Sequence, residues 1–126
     1  MDDIPDDVKR FISANISSVA LLEVLLLMKN SPARQWSADD IGKQLYTSAE
    51  TAVVQLEGLR SSRLLIVDSD GKLYQYAPHN TVDREMIERL DRLYHERRVT
   101  VTNLIYSAPV DTVRTFADAF KFRKDT

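Results

Sequence analysis

The chain contains no cysteine and few glycines, and both absences narrow the classes of protein it can belong to. Its 126 residues include no Cys and three Gly. Without cysteine there is no disulfide scaffold, no Cys-ligated zinc and no thiol nucleophile, which fits a reducing compartment. Three glycines leave little material for a phosphate-binding loop. The composition therefore argues against a disulfide-stapled secreted domain and against nucleotide-binding loops.

Long apolar runs are also missing. The most apolar stretch, residues 19–28, spans ten residues and contains Glu23, whereas a membrane-spanning helix needs about 20 apolar residues. The N-terminus reads Met-Asp-Asp-Ile and lacks the basic and apolar regions of a secretory signal. We therefore expect a cytoplasmic protein without a membrane partner.

The chain also lacks an excess of positive charge. The chain has 17 Lys and Arg against 19 Asp and Glu, for a net charge of -2. Domains that coat nucleic acid through charge alone are usually strongly basic. Any contact with nucleic acid must therefore be local.

Catalytic and metal-binding patterns are not found either. His79 and His95 are the two histidines, and their spacing is not typical of a metal site, so we expect both to face solvent. The acidic stretch 68–71 resembles part of a calcium loop, but Ala77 stands where the closing Glu is required, which favours a plain turn. No arrangement of nucleophile and base is visible. We predict no enzymatic activity, no cofactor and no metal.

Helical patterns dominate the first half of the chain. Apolar residues recur at helical spacing over residues 5–15, and the stretch 19–29 is apolar around nearly its whole circumference, which is typical of a buried helix. Ser37 and Asp40 form a capping-box pattern that opens a helix over 38–45. Ser48 is placed to cap a second helix over 49–62.

That second helix should bury one stripe and expose the opposite face. Helical spacing turns five residues inward: Ala49, Ala52, Val53, Leu56 and Leu59. Arg60 and Arg63 fall on or near this inner side. Two β-prone runs follow, over 64–67 and 73–76, and Asp70-Gly71 between them is a strong hairpin signal. The expected fold class is mainly α with a two-stranded hairpin.

This order of elements resembles the winged helix-turn-helix of bacterial transcription regulators, broadly the MarR-like and PadR-like families. The resemblance covers residues 5–78 as one domain, and residues 81–122 resemble the helical dimerisation extensions of those families. It implies that the helix over 49–62 enters the major groove of double-stranded DNA and that the hairpin is the wing. The residues it places at DNA are Lys43, Thr47, Ser48, Glu50, Thr51, Gln55, Arg63 and Lys72.

The chemistry of these residues leaves a second interpretation open. Thr51 is suited to a thymine methyl, Gln55 to adenine and Glu50 to cytosine. Residues 36–78, however, carry four cations against six carboxylates, and the small Val54 and Gly58 equally suit packing against another regulatory protein. The alternative is thus a protein-interaction adaptor on the same fold.

The C-terminal part shows an apolar seam near a 3.5-residue rhythm, which is typical of helix pairing. We expect one long helix from about residue 81 to 106, through which two copies of the chain form a homodimer. Residues 98–102 alternate with β-branched side chains, so a strand is the alternative there. A short amphipathic helix follows after residue 109. The dimerisation residues predicted in these segments are Ile87, Leu90, Tyr94, Val101, Leu104, Phe116 and Phe120.

Overall fold

The computed structural model describes residues 4–106, which form a mainly helical fold with a small antiparallel sheet. In chain order the elements are α1 (Asp6–Asn15), α2 (Val19–Lys29), β1 (Gln35–Trp36), α3 (Ala38–Leu45), α4 (Ala49–Ser61), β2 (Leu65–Val67), β3 (Tyr74–Tyr76) and α5 (Thr81–Glu96). A further helix, α6, covers residues 98–106, the last of which is the last described residue. Phe116, Phe120 and the expected tail helix lie outside the described residues.

Serine side chains fix where three of these helices begin, and for α3 and α4 the sequence predicted these serines. Ser18 accepts a hydrogen bond from a backbone N–H in the first turn of α2, and Ser48 does the same for α4. At α3 the capping box is complete, because Ser37 Oγ accepts from the Asp40 N–H and the Asp40 carboxylate accepts from the Ser37 N–H, both at 3.0 Å. The hydrogen bond from the Ser37 backbone lowers the pKa of Asp40 and keeps it charged.

The sheet has three strands in the order β1-β3-β2, whereas the sequence predicted a hairpin of two. β1 pairs with one edge of β3, which places Trp36 opposite Tyr74. β2 pairs with the other edge, which places Val67 opposite the same Tyr74. β1 has two residues, too few for an alternating pattern to reveal it. It nevertheless fastens the hairpin to the chain just before α3.

The hairpin turn is held by backbone hydrogen bonds to one carboxylate. Asp68 Oδ1 accepts from the N–H groups of Lys72 and Leu73 at 2.9 and 3.1 Å, and these bonds lower the pKa of Asp68. Gly71 has a φ of +73°, which glycine adopts without steric cost. The Asp-Gly signal for a turn at this position is confirmed.

The inner stripe of α4 differs from the prediction at one residue. Ala52, Leu56 and Leu59 are fully buried in the hydrophobic core, but Val53 is 43% exposed. Successive helical residues are rotated by about 100°, so a stripe centred on these three residues leaves Val53 at its edge. The assignment of Val53 to the inner face was wrong, and Ala49 is half-buried.

The predicted dimer seam is buried within the chain itself. Ile87, Leu90 and Val101 are fully buried, and Tyr94 nearly so, in the same core that contains α1, α2 and α4. Leu104 is half-buried against that core. Other helices of the same chain therefore cover these side chains, and their burial does not require a second copy.

The expected long helix is interrupted. Arg97 has φ -137° and ψ 57°, which lie outside the helical region and separate α5 from α6. Residues 98–106 are helical, so the alternative of a strand over residues 98–102 is excluded. Val101 and Ile105 are fully buried and Leu104 packs against the same core; a helix brings positions 101, 104 and 105 to one side, whereas a strand would turn 104 away from the other two.

Polar contacts also tie α5 to the first two helices. Lys29 Nζ lies 2.9 Å from Asp91 Oδ2 and 3.2 Å from Glu88 Oε1, and Arg89 Nη1 lies 2.8 Å from Asp7 Oδ2. Burial opposes the charge on Lys29, but its hydrogen bonds to Asp91 and Glu88 outweigh that effect and raise the pKa of the amine. The Lys29 side chain is 12% exposed, so this contact is shielded from solvent.

We expect Lys29→Met to destabilise the protein by about 1–3 kcal/mol, since it leaves a half-buried Asp91 carboxylate without its lysine partner. Lys29→Met combined with Asp91→Leu should recover part of the loss, because the unpaired charge is then gone. Urea unfolding followed by circular dichroism measures both. Arg89→Met, at an exposed pair, is the control and should have a smaller effect. Equal losses of stability in Lys29→Met and Arg89→Met would contradict the conclusion that the Lys29 contact is shielded from solvent.

Among residues 4–106 no single helix has the length and apolar composition to cross a bilayer. α1 and α2 meet those criteria as a pair, and they are bent by 102° relative to each other.

Candidate nucleic-acid interface

A tight turn joins α3 to α4. Tyr46 adopts the left-handed conformation with φ 58°, and the Thr47 N–H donates to the Gly42 carbonyl at 2.9 Å. A Cβ atom at Gly42 would lie 2.7 Å from the Thr47 carbonyl oxygen. Glycine at position 42 therefore allows the chain to fold back closely, which sets the angle at which α4 leaves the turn.

The outward face of α4 is centred on Val54. This side chain is 72% exposed, and Glu50 and Gly58, one turn before and after it, are also exposed. Thr51 is exposed and Gln55 is half-buried at the flank. The face predicted to read DNA is thus accessible in the structure.

Hydroxyl groups are organised at the start of α4. Ser48 Oγ caps the helix and also donates to Thr51 Oγ1 at 2.9 Å. Thr47, at the preceding position, is half-buried. The predicted contacts Thr47, Ser48 and Thr51 therefore lie together at the N-terminal end of α4, which carries partial positive charge.

Two of the predicted cations follow α4 in the chain. Arg63 comes just after the helix with φ 64°, and its backbone carbonyl accepts from the His79 N–H at 3.0 Å, while its side chain is exposed. Lys72 is exposed in the hairpin turn. The predicted cations Lys43, Arg63 and Lys72 thus come from three separate places: α3, the end of α4 and the hairpin.

A groove places the hairpin turn beside both helices. Its volume is about 300 Å³. The residues that line it are Ser37, Ala38, Asp39, Val53, Gly71, Lys72 and Tyr74. Because the groove joins the start of α3, the flank of α4 and the turn at Lys72, a ligand that covers α4 also meets the hairpin.

Glu57 does not present a free carboxylate. Its Oε1 accepts from Arg60 Nη2 at 2.8 Å, and its Oε2 accepts from the Tyr74 hydroxyl. The hydrogen bonds from Arg60 and Tyr74 lower the pKa of Glu57. Burial and the Glu57 carboxylate raise the pKa of Tyr74 to about 12. α4 is therefore tied to β3, and Arg60, expected near the inner side, is exposed and occupied by this ion pair.

Intramolecular hydrogen bonds hold half of the carboxylates on this surface in fixed positions. Three of the six carboxylates in 36–78, those of Asp40, Glu57 and Asp68, accept hydrogen bonds within the chain. The remaining acidic residues are Asp39, Glu50 and Asp70. Within residues 4–106 neither these three nor the cations Lys43, Arg63 and Lys72 take part in an ion pair. Bonds from backbone N–H groups do not cancel the charges of Asp40 and Asp68, which stay ionised, so residues 36–78 keep four cations against six carboxylates.

Exposed apolar side chains lie on this surface, and of these the sequence singled out only Val54. Tyr46 is 95% exposed in the α3–α4 turn, and Val53 and Val54 are exposed on α4. Position between the end of α3 and the Ser48 cap did not reveal this exposure, since Thr47 in the same turn is half-buried. We refer to Tyr46, Val53 and Val54 as the apolar patch.

The histidines face solvent, as predicted, each next to a carboxylate on α5. His79 Nδ1 lies 3.5 Å from Asp83 and His95 Nδ1 lies 3.1 Å from Asp91. No group of three or more His, Asp or Glu among residues 4–106 is arranged to hold a metal ion.

Comparisons of the chain with protein-family models, with curated proteins and with solved structures find no match.

Proposed function

We propose that the chain is a winged helix-turn-helix protein that binds double-stranded DNA and regulates transcription. The observation that carries the proposal is the joint placement of an exposed α4, a tight α3–α4 turn and a hairpin whose turn lies beside α4 across one groove. A helix about 10–12 Å across fits the major groove, and the hairpin is then positioned to reach the adjacent backbone.

In this mechanism the outward face of α4 reads base edges. Gln55 pairs with adenine and Glu50 accepts from the amino group of cytosine. Lys43, Arg63 and Lys72 contact phosphates and fix the register of the protein without reading sequence. Because Glu57 is bound by Arg60 and Tyr74, it does not oppose the phosphates as an unpaired charge.

The number of cations predicts the salt dependence of binding. Three phosphate contacts give a slope of log K against log salt of about -3 for a bound monomer, and six give about -5 for a dimer. Association of two copies remains a prediction: of the residues predicted to form the interface, Leu104 is half-buried, and Phe116 and Phe120 lie outside the described residues. The slope, measured by fluorescence anisotropy with a labelled duplex, therefore reports stoichiometry as well as contacts. A slope near -10 would contradict the proposed set of cations.

Lys72→Gln should weaken binding to every duplex and make the slope shallower by about one for each bound copy. The matched control is Lys9→Gln, since Lys9 is an exposed lysine on α1, outside the proposed interface. It should change neither quantity. Equal losses for the two variants would show that the binding is nonspecific attraction to positive charge and would remove the hairpin from the interface.

The apolar patch favours a second candidate function, a protein-interaction adaptor on the same fold. Aromatic residues are enriched in protein interfaces, and Tyr46 is almost completely exposed. For this candidate, Tyr46→Ser and Val54→Ser should abolish binding to a regulatory partner while Lys72→Gln leaves it intact. Loss of DNA binding in all three variants would instead assign the patch to the DNA interface.

A further inference from the structure

The outward face of α4 has an unusual chemistry for a helix that enters the major groove. Its most central side chain, Val54, is apolar and 72% exposed. A Cβ atom added at Gly58, one turn further on, would have nothing within 4 Å. The flanking residues Glu50 and Thr51 carry no positive charge. Within α4 the sole cation is Arg60, and its guanidinium is bound to Glu57.

Such a face is unable to read guanine in the usual way. Guanine presents two acceptors, O6 and N7, to the major groove and is normally bound by a bidentate Arg or Lys. Thymine instead presents a C5-methyl group, which is recognised through apolar contact. The missing side chain at Gly58 allows α4 to lie close to the base edges, which brings the short Val54 within reach of such a methyl group.

We infer that Val54 is a specificity-determining residue and that α4 selects pyrimidines carrying a 5-methyl group in the major groove. This inference rests on the proposed function. Thymine and 5-methylcytosine both offer that methyl group, and the two are distinguished by the neighbouring acceptor O4 of thymine or amino group of cytosine. Glu50, which has no ion pair within the described residues, favours an amino group at its own position, one helical turn from the methyl contact.

The test uses the duplex that the purified protein enriches from a random-sequence library at low salt. That duplex is synthesised in three forms: with thymine, with deoxyuridine in its place, and with each T·A pair at a sensitive position replaced by 5-methylcytosine·G. Uracil lacks the methyl group and retains every hydrogen-bonding atom. Wild-type protein should bind the uracil form about fourfold more weakly for each contacted methyl group, as expected for burial of one methyl-sized apolar group.

Val54→Ala provides the second arm of the experiment. It should weaken binding to the thymine form and reduce the sensitivity to uracil, because the two γ-methyl groups that reach the base are removed while the Cβ atom remains. The control is Val82→Ala, which shortens a valine of similar exposure, 68%, at the start of α5 and should retain full sensitivity. If wild-type protein binds the 5-methylcytosine duplex as tightly as the thymine duplex, the methyl group alone is recognised. If it loses binding to the 5-methylcytosine duplex, the methyl group is recognised together with O4 of thymine.

The outcomes separate the inference from the function on which it rests. Equal binding of the thymine and uracil forms, or an undiminished uracil sensitivity in Val54→Ala, would overturn the role of Val54 while leaving DNA binding in place. Recovery of no duplex from the library would overturn both.

Discussion

Replacing Leu90 with alanine is expected to lower the free energy of unfolding by about 2–5 kcal/mol, the typical cost of truncating a fully buried leucine. Leu90 is completely buried at the centre of α5. Its side chain belongs to the same core cluster as residues of α1, α2 and α4. The loss should appear as a lower midpoint of urea unfolding, and Leu90→Met, which nearly conserves volume, should cost less than about 1.5 kcal/mol.

The concentration dependence of this result tests where α5 packs. If the seam is buried within one chain, Leu90→Ala lowers the unfolding midpoint by the same amount at every protein concentration. A seam that formed between two copies would raise the midpoint as concentration rises. Val82→Ala on the exposed side of the same helix should change stability by less than about 0.5 kcal/mol. A midpoint that depends on concentration in wild type but not in Leu90→Ala would return Ile87, Leu90, Tyr94 and Val101 to the dimer interface.

Substituting alanine at two glycines should have effects of opposite sign. Gly42→Ala places a Cβ atom 2.7 Å from the backbone oxygen of Thr47, so the turn must shift, at a cost of about 1–2 kcal/mol after the gain in helix propensity. Gly58→Ala meets nothing within 4 Å and should stabilise the protein by about 0.5–1 kcal/mol, because alanine loses less backbone entropy in a helix. Thermal unfolding measures both.

The same pair separates stability from binding. Gly42→Ala should weaken DNA binding through a changed α3–α4 angle, even at temperatures where the variant is fully folded. Gly58→Ala should be more stable than wild type but bind more weakly, since its methyl group projects from the outward face of α4. A Gly42→Ala protein of wild-type stability would show that the turn accommodates the added atom without strain.

Local signals in the sequence correctly predicted the starts of two helices and the hairpin turn. The Ser37–Asp40 capping box and the Ser48 cap depend on neighbouring backbone groups alone, and both are confirmed. Asp70-Gly71 predicted its turn for the same reason. β1 was missed because it is defined by pairing with β3, a partner distant in the sequence, and its two residues carry no periodicity of their own.

Periodicity also says which side chains are buried but not what covers them. The seam of α5 and α6 was correctly recognised as apolar, yet the structure covers it with the chain's own helices. Val53 and Arg60 show the corresponding limit at the edge of a helical stripe, where a small rotation decides between burial and exposure. The hydrogen bond from Tyr74 to Glu57 could not be predicted from the sequence, because the two residues lie 17 positions apart.

For the candidate site, sequence patterns identified the residues and the structure supplied their surroundings. The residues predicted at DNA are all at least partly accessible: Lys43, Thr47, Ser48, Glu50, Thr51, Gln55, Arg63 and Lys72. Their roles at DNA remain predictions. Hydrogen bonds that link α4 to β3, cap α3 and close the hairpin turn fix three of the carboxylates on this surface in position. The sequence alone does not show these bonds, and they leave the count of charges on the surface unchanged.

Selection of duplexes from a random-sequence library by the purified protein at low salt decides whether the chain binds DNA. We expect enrichment of a short motif, uniformly weaker recovery with Lys72→Ala, and a changed base preference with Gln55→Ala, because the first residue contacts phosphate and the second a base edge. Recovery of no motif by a folded wild-type protein would contradict DNA binding and leave the protein-interaction adaptor as the function of this fold.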